Sequence, residues 1–128
     1  MRTSLAMAML GATAVALSAC VPYVIPSEGP IALQPPQSGG MDAALIGGTL
    51  HIDDDCAWVE TDGEDYVPVF PMDVARLEAG ELVYGARYRD GDRINFTGGE
   101  SGEQGPDWYI PSGCPDLKLW NASGPPQA

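Results

Sequence analysis

The stretch Thr49-Leu50-His51-Ile52-Asp53-Asp54-Asp55-Cys56-Ala57-Trp58-Val59-Glu60 holds two short runs on either side of three adjacent aspartates. In the first run, Leu50 and Ile52 share one face and His51 takes the other. That period of two is the mark of a half-buried strand. Cys56 to Glu60 reads as a second strand. Taken as a hairpin, residues 49–60 put Asp53 to Asp55 at one turn. Asp62 to Asp65 then lie at the opposite end of the second strand, roughly 17 Å away.

The same reading extends outward. Tyr66 to Phe70 is a third strand, and Pro68 puts it at an edge or a bulge. Leu82 to Arg89 is a fourth, with Leu82, Tyr84, Ala86 and Tyr88 on one side. Arg93 to Thr97 is a fifth, carrying Ile94 and Phe96, and Leu117 to Trp120 is a sixth. A three-residue loop at Asp90-Gly91-Asp92 would pair Tyr88 with Ile94 and Ala86 with Phe96, which keeps one face apolar. No stretch has a long 3.6-residue period, and one helical turn is expected around Asp73 to Leu77. The fold class is therefore all-β: a small barrel or rolled antiparallel sheet of five to six short strands. The pattern resembles small OB-like or SH3-like barrels.

The chain has 128 residues, 16 glycines, 12 prolines and three cysteines. It opens Met1-Arg2, and Leu5 to Leu17 is apolar or small. A helix over those residues would span roughly 20 Å, short of a bilayer core of about 30 Å. The segment has the form of a secretory signal peptide. It ends Leu17-Ser18-Ala19-Cys20, which resembles the lipobox of bacterial lipoproteins. That resemblance implies cleavage before Cys20 and lipid on that cysteine, so the chain would be held to a membrane by its acyl groups. Val21 after the cysteine, rather than Asp, implies the outer membrane in a diderm cell, facing periplasm or surface. Gly47-Gly48, Cys56-Ala57-Trp58 and Val69-Phe70-Pro71 are similar to a pattern in small envelope lipoproteins, and imply no activity.

With Cys20 assigned to lipid, Cys56 and Cys114 are left to bridge in an oxidising compartment. The domain reading is then residues 1–19 as signal peptide and 20–44 as a lipidated, Pro/Gly-rich tether. Residues 45–120 form the β domain and 121–128 a flexible tail. Pro22, Pro26, Pro30, Pro35 and Pro36 make the tether an extended spacer that holds the domain well away from the lipid.

The formal net charge is −12, and it becomes −13 without Arg2. Such a chain cannot neutralise a row of phosphates, which argues against nucleic acid. The acidic turns suggest a calcium site at Asp53, Asp54 and Asp55, because hard cations take carboxylate oxygens. Neither turn fits an EF-hand, and solvated turns explain them more simply. His51, the sole histidine, would serve an envelope hydrolase only beside a nucleophile, with Asp53 as its orienting partner. No catalytic motif accompanies it. Trp108 and Tyr109 lie in the Gly/Pro-rich loop Gly98 to Gly113, just before Cys114. A pinned loop presenting adjacent aromatics is the candidate binding site, for an envelope glycan or a protein partner. The sequence thus points to a binding or structural role in the envelope, with no cofactor beyond the covalent lipid.

Overall fold

The computed structural model describes residues 23–37 and 44–125, together with Gly11. The proposed signal peptide apart from Gly11, Cys20, and residues 21–22 and 38–43 of the expected tether lie outside the described residues. The described chain forms strands and turns without a helix. In chain order the strands are β1 (Ala32–Gln34), β2 (Ala44–Ile52), β3 (Ala57–Glu60), β4 (Asp65–Pro71), β5 (Arg76–Glu78), β6 (Glu81–Val83), β7 (Arg87–Tyr88), β8 (Arg93–Ser101) and β9 (Lys118–Ala122).

Five of them close a barrel. β2 and β3 form the expected hairpin, with Thr49 opposite Glu60 and Ile52 opposite Ala57. β3 passes to β4 through Val59 and Tyr66. β4 pairs with β9, β9 with β8, and β8 returns to β2. The β4–β9 pair is parallel, so the sheet is not wholly antiparallel. β1 adds to β4 as a further parallel strand. β4 hands its edge from β3 at Tyr66 to β1 at Val69. Met72 donates its N–H to Gln34 O on that edge. Alternation along the strand then aims the missing N–H of Pro68 at the gap between β3 and β1, where a ladder bond is not required.

The interior is filled by the alternating residues of these strands. Leu50, Val59, Phe70, Ile94 and Phe96 are buried. Tyr84 and Leu82 enter from a separate three-stranded sheet, β5–β6–β7. The Phe70 and Tyr84 rings lie 4.8 Å apart, and Phe70 and Phe96 5.9 Å apart. Burial pushes the Tyr84 hydroxyl far above its ordinary pKa. That hydroxyl donates to the carbonyls of Ser123 and Gly124.

Several expectations are corrected. Leu82 to Arg89 is not one strand. The chain folds back at Tyr84-Gly85-Ala86, where Gly85 takes a φ of 72° and Tyr84 N–H donates to Ala86 O at 2.8 Å. Leu82 therefore faces Tyr88, and β7 never pairs with β8. β8 pairs instead with β2 and β9, its Phe96 opposite Ile46. The Asp90-Gly91-Asp92 turn exists but docks on β2, where Leu50 N–H donates to Asp92 O and Gly91 N–H to Leu50 O. The helical turn expected around Asp73 to Leu77 is absent. Val74 closes a turn on Pro71, and Arg76 to Glu78 is a strand. It reverses at Ala79-Gly80, both at positive φ (51° and 79°), as a two-residue hairpin loop requires.

The domain also exceeds residues 45–120. Ile31, Ala32 and Leu33 are buried within the stretch expected to be tether. Ala122 is buried in the stretch expected to be tail, and Ser123 N–H donates to Thr97 O at 2.9 Å.

Candidate binding site

β4 alternates across the barrel wall. Phe70 points in, while Val67 and Val69 belong to a second cluster with Ala32 and Cys56. Trp58, Trp108, Ile110, Cys114, Leu117 and Leu119 pack over that cluster, half-buried. Most of this cover comes from the connection between β8 and β9. Such a connection has few ladder bonds of its own, so other links must hold it.

The first link is the Cys56–Cys114 disulfide, with S–S 1.99 Å and Cα atoms 4.8 Å apart. It ties the β2–β3 turn to the β8–β9 connection. The second is a two-bond bridge to β1: Leu33 N–H donates to Tyr109 O at 3.0 Å, and Tyr109 N–H to Leu33 O at 2.8 Å. The Tyr109 hydroxyl donates to Gly29 O at 2.6 Å. The third is a turn from Gly105 to Trp108, closed by Trp108 N–H on Gly105 O at 3.4 Å. Pro106 occupies its second position, and Asp107, at φ 62°, its third. That is the type II pattern, with aspartate where glycine is favoured. The Trp108 indole lies over Gly105, and a Cβ there would stand 2.5 Å from the ring.

These links open a groove of about 640 Å³ beside the barrel. Trp108 and Tyr109 form one wall and Tyr23, Ile25 and Pro26 the other, with Ser27 and Asp107 as the polar side chains. Both candidate binding residues, Trp108 and Tyr109, thus line the same groove. The opposite wall is not legible in the sequence, because its Pro-rich composition reads as free chain. Ile31-Ala32-Leu33, three apolar residues in a row, was the signal that this segment docks. Ile25 packs on the core, while Tyr23 and Val24 are 49% and 80% exposed. Among the described residues, no lysine or arginine lines the groove.

The acidic turns form separate local structures. Asp53 Oδ1 accepts from the N–H groups of Asp55 (2.8 Å) and Cys56 (2.9 Å). Those bonds hold the Asp53 carboxyl below its ordinary pKa. Asp54 and Asp55 are exposed. At the far end of the hairpin, Thr61 and Glu64 close the next turn. Lys118 Nζ meets Glu64 at 2.9 Å and Glu100 at 3.2 Å. The Lys118 bond, with a smaller contribution from Tyr66, lowers the Glu64 pKa. Among the described residues, no three His, Cys, Asp or Glu side chains gather as a metal-ligand set.

His51 stacks on Trp58 with ring centroids 4.2 Å apart, and its Nε2 lies 2.9 Å from Glu60 Oε1. Its carboxylate partner is therefore Glu60, across the hairpin, and Asp53 is committed to its own turn. Among the described hydrogen bonds none joins a hydroxyl or thiol to His51.

Comparison of the chain with protein-family models, with curated proteins and with solved structures finds no match.

Proposed function

We propose that this chain is a lipid-anchored protein of the bacterial cell envelope with a binding or structural role. In this reading Cys20 carries the lipid, and the aromatic layer outside the barrel is the working face. The observation that carries it is the groove itself. One wall is the loop presenting Trp108 and Tyr109, and the other is the segment that follows the lipobox cysteine. Anchor and binding face are then adjacent in sequence and in space. OB-like barrels present ligands on a similar face, formed by strands two and three with the loops between strands one and two and between four and five. The counterparts here are β3, β4, the Asp53–Cys56 turn and the Trp108 loop. The partner is an envelope component, a glycan or a protein, or the envelope surface. In a diderm cell, Val21 after the cysteine supports residence in the outer membrane.

Fractionation of a diderm host tests this directly. The full chain should sediment with outer membranes, and Cys20→Ser should appear in the soluble periplasm. Crosslinking from intact membranes should recover an envelope component with the full chain and lose it with Trp108→Ala. A Cys20→Ser chain that stays with the membrane would contradict the anchor. Unchanged crosslinks in the Trp108→Ala variant would contradict the assignment of the face.

A further inference from the structure

The sequence reading has the tether lift the domain off the membrane, and the described structure leaves it little length to do so. Ile25 already packs on the barrel core. Pro30 O accepts from Ala57 N–H at 2.8 Å, and Tyr109 holds Gly29. The chain from Cys20 to Ile25 is thus five residue steps long. Even fully extended it spans roughly 17 Å, and the three steps from Cys20 to Tyr23 span at most about 11 Å. Tyr23 is itself a wall of the aromatic groove. A lipidated Cys20 lies at the bilayer interface, so the Tyr23 wall of the groove lies no more than about 11 Å from it.

The chemistry of this face matches that location. Trp and Tyr rings prefer the membrane–water interface, where an apolar body and a polar tip are both satisfied. Tyr23, Trp108 and Tyr109 surround the groove, and Val24 beside it is 80% exposed. Among the described residues the groove has no base to attract anionic headgroups, and Asp107 would repel them. Contact would therefore rest on ring and apolar insertion and not on charge. We propose that the groove formed by Tyr23, Ile25, Trp108 and Tyr109 is a membrane seat: its occupant is the lipid surface to which the chain is anchored, and the barrel rides flush on that surface. This rests on the lipid-anchor reading of Cys20.

The test uses the full chain purified from membranes, with the mass of its Cys20 peptide measured. It is reconstituted into phosphatidylcholine vesicles that carry a fluorescence quencher near the headgroup. Tryptophan emission should be quenched, most of that quenching should be lost in Trp108→Phe, and Tyr23→Ser should weaken it. Raising the salt concentration should leave it unchanged. Lipidated protein whose tryptophan emission is not quenched would overturn the seat and leave the anchor standing. The same holds if soluble oligosaccharide, and not lipid, perturbs Trp108, because the groove would then be a glycan site. Protein with unmodified Cys20 would remove the anchor and the seat together. Tyr23→Ser alters an exposed side chain, so its result stands even if Trp108→Phe disturbs the loop.

Discussion

Phe70 and Val69 are neighbours on β4 and end in different hydrophobic clusters. Phe70 enters the barrel, where it meets Tyr84 and Phe96. Val69 faces outward, under Ala32 and the Trp108 loop. The inner cluster is enclosed by a ring of paired strands, so Leu50, Val59, Ile94 and Phe96 sit on strands paired on both sides. The outer cluster is covered on one side by a connection with little ladder of its own. A disulfide, a two-bond bridge and a type II turn hold that cover in place. Closure secures the first region and point links secure the second. The second is therefore the region that can carry a binding face, since its cover can adjust without opening the barrel.

The largest effect should come from the inner region. Phe70→Ala should cost about 3–5 kcal/mol, through lost burial and the cavity left among Tyr84 and Phe96. Urea unfolding measures this, and in a domain of this size the variant should be largely unfolded at 37 °C. A cost below that of Val69→Ala would break the comparison.

Replacing Cys56 and Cys114 together by alanine should cost about 2–4 kcal/mol. The location of the loss matters more than its size. Hydrogen exchange should show the amides of Leu33 and Tyr109 losing protection well before those of Leu50 and Ile94. Simultaneous loss would mean that the two regions are one cooperative unit.

Asp107→Gly should stabilise by about 1 kcal/mol, because a non-glycine residue in the left-handed region carries roughly that strain. The melting temperature should rise, and the inner core should be unchanged. Ala79→Gly tests the same strain in the three-stranded sheet.

The smallest effect concerns acid. Asp53 is held below its ordinary value of 3.8 by the amides of Asp55 and Cys56. Its folded pKa lies below its unfolded one, so its contribution is present above the ordinary value and lost as pH falls through the folded one. The stability gap between the native chain and Asp53→Ala should close on acidification below that range. A gap that persists there would show that Asp53 supports the turn without its charge.

The parts of the fold legible in sequence were those with local alternation. Residues 49–60 were readable because Leu50 and Ile52 share a face and the aspartates mark the turn. Ile94 and Phe96 were placed inward for the same reason. The β5–β6 hairpin was missed because its two-residue turn is Ala79-Gly80, without the Asn-Gly or Asp-Gly signal. Leu82 to Arg89 reads as one strand in the sequence because Gly85 sits inside an otherwise regular alternation. β1 was missed because its partners, Val69 to Pro71, are distant in sequence and its flanks are proline-rich. Trp108 and Tyr109 stood out as aromatics in a Gly/Pro loop next to Cys114. Their facing wall comes from more than 80 residues earlier, a juxtaposition that only the folded chain displays.

In the proposed reading the outer region works where the chain is anchored, and that rests on Cys20. Intact mass spectrometry of the protein extracted from membranes measures it most directly. The chain should begin at Cys20, lack residues 1–19, and carry a diacylglyceryl group with an acylated amine. An unmodified Cys20, or a chain that retains residues 1–19, would contradict the account.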